Sequence, residues 1–155
     1  MYTEQDYQEI TAQWKNRHLL LWVPAGLMAA AVIATFIFRI KWATMLGTVI
    51  AGFYCVFVYG LLVQPVSAYR KHLDGVMHGR TRTLSGAFKT MEENTVTREG
   101  VAFYPMLLNV GSMDDENDDR LLFYDANLPR PDWQTGDKLT VTVHDKALGD
   151  WKREA

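Results

Sequence analysis

Two long uncharged runs in the first half of the chain constrain its fold more than any other feature. Residues 19–38 read LLLWVPAGLMAAAVIATFIF, and residues 42–63 read WATMLGTVIAGFYCVFVYGLLV. A helix of about 20 residues, at 1.5 Å per residue, crosses the roughly 30 Å hydrocarbon core of a bilayer. A chain of 155 residues cannot build an interior that surrounds two such helices. We therefore predict two transmembrane helices, within a hairpin domain at residues 18–65.

The short connection between the runs predicts both the hairpin and its orientation. Only RIK, residues 39–41, separates the runs, so the helices must be antiparallel neighbours. Loops on the cytoplasmic side carry the excess of lysine and arginine. The connection offers two such residues, whereas the opposite side offers Lys15, Arg17, Arg70, Lys71, Arg80 and Arg82. We expect a multi-pass protein of the inner (plasma) membrane of a bacterial-type cell, with both termini in the cytoplasm.

Small residues recur at four-residue spacing in both runs. In lipid, where hydrophobicity does not drive helix association, such stripes allow close van der Waals packing. We interpret them as the surfaces that pack the hairpin on itself; a homo-oligomer contact is the alternative. The predicted packing residues are Gly26, Ala30 and Ala34 in the first run, and Gly47, Ala51 and Cys55 in the second.

Two amphipathic segments flank the hairpin. Residues 1–17 place Tyr7, Ile10 and Trp14 on one helical face, which is typical of a helix lying at a membrane interface. Residues 66–80 follow Pro65 and indicate a helical neck. Since the chain has a single cysteine, it forms no intrachain disulfide.

From residue 81 the apolar period changes from that of helices to that of strands. Short segments rich in threonine, valine and aromatic residues alternate between apolar and polar positions, with turn residues between them. This pattern predicts a small antiparallel β-barrel over residues 81–153, OB-like or SH3-like. Residues 1–78 hold six basic against four acidic residues, and the remainder ten against fourteen. An acidic domain is a poor binder of nucleic acid, so we expect none there.

The acidic stretch MDDENDDR, residues 113–120, is either a metal site or a solvated turn. A calcium loop needs glycine at its sixth position and a carboxylate at its twelfth, followed by a helix. Neither register of this stretch supplies them. We favour a hairpin turn, which leaves Asp114, Glu116 and Asp118 as weak metal candidates. We expect no cofactor.

The loop NLPRPDW, residues 127–133, is the most distinctive segment of the β domain. Its two prolines favour an extended course, and Arg130 and Trp133 are residue types enriched at the centres of interfaces. We favour a crossover loop in which Trp133 caps the barrel; the alternative is a partner contact at Arg130 and Trp133.

Hydrophobic helices followed by a small β-barrel resemble the architecture of NfeD-type membrane proteins. The stretch TRTLSGAFKTMEENTVTREG lacks the glycine-rich barrel pattern of that family, so the resemblance implies no residue roles. No nucleophile, Walker or zinc-protease motif is present. Our hypothesis is a non-enzymatic membrane protein whose cytoplasmic barrel acts through contacts with another protein. The alternatives are a membrane-anchored module that binds a small ligand or ion, and a membrane enzyme.

Overall fold

Two long apolar helices precede a six-stranded mixed sheet in the computed structural model, which describes residues 1–112 and 115–154. The predicted combination of helices and a sheet is confirmed. The chain divides into two units. The hairpin unit is Gln8–Arg70, and the sheet unit is Met1–Tyr7 with the described residues from Lys71 onward.

The helices are longer than the apolar runs. Helix α1 is Glu4–Ile37, α2 is Lys41–Val58, and α3 is Gln64–His78. The predicted interfacial segment and first span form one continuous helix, because no glycine or proline separates them. Both α1 and the combined helix from Lys41 to His78 are long and apolar enough to cross a membrane.

A π-helical turn, Tyr59–Val63, joins α2 to α3. The turn widens the helix just before Pro65, whose ring and missing N–H oppose a regular α-helix. The Gln64 N–H bonds the Tyr59 carbonyl five residues back. The Leu62 carbonyl accepts a 3.0 Å hydrogen bond from the Arg17 guanidinium. The predicted second span and neck are therefore continuous.

The two helices of the hairpin unit contact each other along heptad-like positions. Half-buried or buried residues on α1 follow spacings of four and three, and α2 shows the matching pattern. These spacings are typical of the left-handed crossing seen in most membrane helix pairs. The less exposed positions at these spacings are Leu21, Ala25, Met28, Val32 and Thr35 on α1, and Thr44, Gly47, Ala51, Tyr54 and Val58 on α2; Pro24, Ala34, Ala43 and Cys55 are half-buried as well. Direct contacts join Thr44 to Thr35, and Tyr54 to the Leu20 carbonyl.

The sheet consists of six strands in the order β1-β5-β6-β4-β3-β2, with a further pairing of β1 to β3. Five strands thus form a closed ring of neighbours, and β2 pairs only with β3. The strands are β1 Arg82–Met91, β2 Val96–Arg98, β3 Val101–Asn109, β4 Asp119–Asp125, β5 Lys138–His144 and β6 Ala147–Arg153.

The sheet is mixed rather than wholly antiparallel as predicted, because β4 and β6 run parallel at Phe123 and Ala147. Residues 126–137 carry the chain from β4 to β5, which pairs with β1, so β6 returns beside β4 in the same direction. Local alternation of apolar residues indicates strands but not which strands pair or in which direction, so the prediction of a wholly antiparallel barrel is wrong at this pair.

Strand β1 changes its neighbour halfway along its length. Arg82–Ala87 pairs with β5, and Ala87–Met91 pairs with β3, with a bulge at Lys89. At this change Gly86 approaches β3 so closely that a Cβ would lie 2.2 Å from the Asn109 carbonyl oxygen. Only glycine fits there. The two-residue turns at Glu99–Gly100 and Asp145–Lys146 have positive φ at both positions, as tight hairpin turns require.

The core of the sheet unit is apolar and aromatic. Its fully buried members include Met106, Leu108, Leu139, Val141 and Leu148. Trp133 packs among them, with ring centroids 5.0 Å from Trp151, 5.5 Å from Phe88 and 5.7 Å from Tyr124.

Candidate functional site

The sheet unit contains a partly buried polar cluster that joins three distant parts of the chain, which we call the Tyr2 cluster: Tyr2, His72 and Asp125. The Tyr2 hydroxyl donates to Asp125 Oδ2 at 2.9 Å and lies 3.2 Å from His72 Nε2. Because that hydroxyl has one proton, His72 Nε2 must supply the proton of the second bond. The cluster is therefore a directed chain of hydrogen bonds from imidazole to phenol to carboxylate.

Each member of the Tyr2 cluster is placed by a local feature of the sequence. Asp125 ends β4, and its Oδ1 accepts the Asn127 N–H at 2.8 Å, which forms the turn after the strand. His72 lies on α3 beside the buried Leu73. Tyr2 precedes Thr3, the N-cap of α1, whose hydroxyl accepts the N–H of Asp6.

Burial controls the electrostatics of the cluster. Asp125 has no exposed surface, so its charge depends on the hydrogen bonds it accepts. Burial lowers the pKa of His72; the Asp125 and Glu99 carboxylates partly oppose this shift, and His144 adds to it. His72 is therefore neutral near pH 7. The arrangement binds and orders the segment before α1, and the carboxylate has no face open to a substrate.

A second histidine in the same unit packs against one glycine of α3 and against the glycine that follows this helix. The His144 ring lies so close to Gly75 and Gly79 that a Cβ at either would come within 3.0 Å of it. His144 Nδ1 lies 2.9 Å from the Arg80 carbonyl oxygen. The end of α3 is therefore shaped to receive this ring.

In the described part of the acidic stretch, residues 115–120, two carboxylates accept hydrogen bonds from nearby backbone N–H groups. Asp115 Oδ1 accepts the Asn117 N–H at 2.9 Å, and Asp118 Oδ2 accepts the Ser112 N–H at 3.2 Å. Asp114 lies outside the described residues, and Glu116 is exposed. Within residues 1–112 and 115–154, no three histidine, cysteine or acidic residues are grouped as metal ligands would be.

The buried Asn109 organises this turn. Its amide nitrogen donates to Asp119 Oδ1 at 2.7 Å and to the Asp115 carbonyl at 3.1 Å. Lys89, the bulge residue of β1, binds the other oxygen of Asp119 at 2.7 Å. Hydrogen bonds from Lys89 and Asn109 lower the pKa of Asp119. These contacts support the interpretation of the stretch as a structural turn.

The proline-containing loop places its two predicted contact residues differently. Trp133 is 9% exposed and belongs to the core, as a crossover loop that caps the barrel would place it. Its Nε1 has no hydrogen-bond partner among the described residues. Arg130 is exposed, and its guanidinium donates to the Met91 carbonyl at 3.1 Å and lies 5.3 Å from the Tyr104 ring centroid.

A groove of about 410 Å³ lies beside this loop, which we call the loop groove. Its walls combine aromatic, proline and charged side chains. They include Tyr124, Pro129, Arg130, Pro131, Asp132 and Trp151.

The predicted packing residues of the hairpin lie on different sides of their helices. A Cβ at Gly47 would be 3.0 Å from Val32 Cγ2, so Gly47 faces α1, and Ala51 is half-buried on the same side. Gly26 and Ala30 are exposed. On α1 the four-residue spacing therefore does not follow the contacting face, which alternates spacings of four and three. Ala34 and Cys55 are half-buried.

Two polar contacts join α1 to α2 along the hairpin. Pro24 has no N–H to bond the Leu20 carbonyl, and the Tyr54 hydroxyl donates to that carbonyl at 2.7 Å. Thr44 Oγ1 bonds Thr35 Oγ1 at 3.2 Å near the turn.

Comparison with known proteins gives no match to a family model, to a curated protein or to a solved structure. Only geometry therefore indicates the roles of the polar contacts described above. These are the Tyr2 cluster, the hydrogen bond from Tyr54 to the Leu20 carbonyl, and the hydrogen bonds of Asn109. Sequence reasoning missed the Tyr2 cluster because its members are 70 and 123 positions from Tyr2. The one available signal was an aspartate at the end of an apolar strand.

Proposed function

We propose that this protein is an integral membrane protein whose helical hairpin anchors a small β module, and that the module acts through contacts with another protein rather than through catalysis. The observation that carries the proposal is the exposure of apolar side chains on both helices. Phe36, Phe53 and Val56 are each more than 70% exposed, and only 6% of the most apolar stretch of each helix is buried. Lipid is the solvent that stabilises such surfaces.

The hairpin contacts support a membrane setting for these helices. A bilayer interior offers no water to a backbone carbonyl that lacks its partner. Tyr54 provides a donor for the Leu20 carbonyl opposite Pro24. The excess of lysine and arginine outside the connection favours termini in the cytoplasm.

The strand order supports an OB-like barrel as the anchored module. In a five-stranded Greek-key barrel of this type the first strand pairs with two neighbours and one strand pair is parallel. Here β1 pairs with β3 and β5, and β4 is parallel to β6. We infer that the sheet unit is such a barrel, with β2 as an additional edge strand.

The loop groove is the surface that we assign to the partner protein. Its aromatic and proline walls suit an extended peptide, and Arg130 and Asp132 at its rim offer charges of both signs for orientation. The titratable residues of the Tyr2 cluster bind one another instead. A contact role therefore accounts for the exposed groups better than catalysis does.

Membrane fractionation tests the anchor. We expect the full chain to stay in the membrane pellet after alkaline carbonate extraction. Ile33→Arg puts a charge on an exposed position of the apolar run and should reduce the membrane fraction, since such a residue costs about 2.5–3.5 kcal/mol at the centre of a span. Val96→Arg, at an exposed strand residue, is the control and should not. Release of the wild-type chain by carbonate would contradict the proposal.

Photo-crosslinking in cells tests the partner contact. A photoreactive residue at position 130 should give an adduct of one defined mass, because it lies at the rim of the loop groove. The exposed position 93 provides the matched control and should give none. Equal adducts at both positions, or none at either, would refute the assignment of this surface.

A small-ligand module is the second candidate, favoured by the unpartnered Trp133 Nε1. A cavity of about 180 Å³ adjoins this residue and has Thr90, Arg130 and Thr135 among its lining. Mass spectrometry of protein purified from native membranes and then denatured tests this function. A stoichiometric small molecule that is lost in Trp133→Phe would favour it over the protein contact.

A further inference from the structure

We propose that the turn end of the hairpin binds an anionic phospholipid, with its phosphate at Arg39 and Lys41 and an acyl chain along α2. The inference rests on the proposed membrane insertion of the hairpin. It adds a chemical preference among lipids, which insertion alone does not require.

The binding surface is an open groove of about 1000 Å³ within the hairpin unit, which we call the turn groove. Phe36 and Ile37 at the end of α1 form one part of its apolar wall, and Met45 and Val49 on α2 form another. Lys41 and Val49 are eight residues apart on one helix, so the groove follows α2 for about 12 Å. This shape fits an extended hydrocarbon chain rather than a compact solute.

Both basic residues of the connection line this groove. Arg39 and Lys41 lie at the same end of it, where α1 stops and α2 begins. The hydroxyls of the wall are engaged within the hairpin, since Thr44 bonds Thr35 and Thr48 bonds the Thr44 carbonyl. The two cations are therefore the groups that select the polar part of an occupant.

The hairpin supplies no acidic partner for these cations. The sequence has no aspartate or glutamate between Glu9 and Asp74, so Glu9 is the single carboxylate of the hairpin unit. A phosphate accepts charge-assisted hydrogen bonds from arginine and lysine. A zwitterionic lipid offers the same phosphate with a compensating cation, so the net charge of the groove favours an anionic one.

The backbone at Arg39 provides a variant that removes the charge without harming the turn. Its φ is +57°, in the left-handed region that glycine adopts most easily. The Ile40 N–H bonds the Thr35 carbonyl at 3.0 Å across this residue, as in a helix-ending turn where glycine is usual. Arg39→Gly should therefore keep the turn, and Lys41→Gln removes the second charge in a similar volume.

Quenching of Trp42 by brominated lipids tests the inference with the full chain in phosphatidylcholine vesicles. Trp42 follows Lys41 directly and is 71% exposed. Subtracting the signal of Trp42→Phe isolates this residue from the other tryptophans. Quenching by brominated phosphatidylcholine shows that Trp42 lies in the bilayer. Quenching by a small fraction of brominated phosphatidylglycerol measures the preference of the site for the anionic lipid.

We expect phosphatidylglycerol to compete for the site on the order of tenfold better than phosphatidylcholine at low salt, and less at high salt. The double variant Arg39→Gly/Lys41→Gln should lose the preference yet stay quenched by brominated phosphatidylcholine. The control Arg80→Gln/Arg82→Gln makes the same change in net charge at exposed positions of the sheet unit. It should keep the preference for phosphatidylglycerol.

Four results would overturn the inference, and they separate it from the proposed function. Equal quenching by both lipids would overturn it while leaving insertion standing. A preference that survives in the double variant, or that disappears equally in the control, would place the selectivity elsewhere. Absence of quenching by either lipid would overturn insertion and the inference together.

Discussion

Asp125 is a buried carboxylate of the sheet unit that accepts several hydrogen bonds. Its carboxylate has no exposed surface and accepts hydrogen bonds from Tyr2 and from the backbone N–H and side-chain amide of Asn127. A buried carboxylate that loses a donor is costly, because neither water nor another group replaces the bond. The segment before α1 is thus tied to the sheet by the Tyr2 hydroxyl and by the Met1 amino group, which lies 3.0 Å from Asp150 Oδ1.

Tyr2→Phe should lower the free energy of unfolding of the sheet unit by about 1.5–3 kcal/mol, since it deletes a hydrogen bond to a charged group. Denaturant titration of the full chain in detergent, followed by tryptophan fluorescence, measures this loss. Tyr7→Phe is the matched control: its hydroxyl bonds the exposed Asp74 at 3.2 Å, and its removal should cost less than about 1 kcal/mol. Equal costs for both variants would disprove the role of the Tyr2 cluster.

The lowered pKa of His72 predicts a pH dependence with a defined sign. The unfolded chain takes up a proton at His72 near its ordinary pKa of about 6.5, and the folded chain does so only at lower pH. The free energy of unfolding therefore keeps its full value above the ordinary histidine pKa of about 6.5 and decreases as the pH falls below it. Thermal melts between pH 8 and pH 5 should show this decline. His72→Gln should flatten it, whereas His78→Gln, at an exposed histidine of the same helix, should leave it in place.

At the scale of elements, the sequence predicts only part of the contacts that stabilise the hairpin. The uncharged runs predict the two helices, and the three-residue connection predicts their pairing. The contacting faces were harder to foresee, because a four-residue small-residue spacing and a heptad share some positions. Gly47 and Ala51 satisfy both patterns, and Gly26 and Ala30 satisfy only the first.

Ala51→Leu should lower the thermal stability of the hairpin, because the added atoms must enter the face of α2 that meets α1. Ala30→Leu is the matched control at an exposed position of α1 and should change the midpoint little. Helical circular dichroism during heating in detergent measures both. A larger loss for Ala30→Leu would show that the helices contact through the other side of α1.

The bond from Tyr54 to the Leu20 carbonyl predicts a coupling between two distant substitutions. Tyr54→Phe should destabilise the hairpin by about 0.6 kcal/mol and by no more than about 1.7 kcal/mol, the average and the maximum for hydrogen bonds between membrane helices. In a Pro24→Ala background the restored N–H at position 24 can bond Leu20 itself, so the same change should cost less. A double-mutant cycle on thermal stability measures this coupling. Additive effects would contradict the pairing of Tyr54 with Pro24.

Much of the β region followed from local patterns, and the remainder depended on distant contacts. Alternating apolar residues indicated the strands, and Glu99–Gly100 and Asp145–Lys146 indicated their turns. The parallel pair and the closed ring arise from pairing between segments far apart in sequence. The sequence favoured a turn over a metal site in the acidic stretch, but it did not indicate the hydrogen bonds of Asn109 to this segment, because one buried asparagine has no local signature.

At the scale of the whole molecule, the two units differ in composition and in proposed role. The apolar hairpin unit, with one carboxylate, is suited to lipid, whereas the sheet unit has its own core and a polar surface. Charge differs in the same way, with six basic against four acidic residues up to residue 78 and ten against fourteen beyond it. The central claim is that the hairpin crosses the membrane twice and leaves the sheet unit in the cytoplasm.

Cysteine labelling in cells tests this claim most directly, because Cys55 is the sole cysteine to remove. In a Cys55→Ser background, Ile40→Cys places a thiol in the connection and Glu93→Cys places one on the exposed surface of the sheet unit. A membrane-impermeant maleimide should label position 40 in intact cells and position 93 only after permeabilisation. Labelling of position 93 in intact cells, or protection of both positions until the cells are opened, would contradict the account.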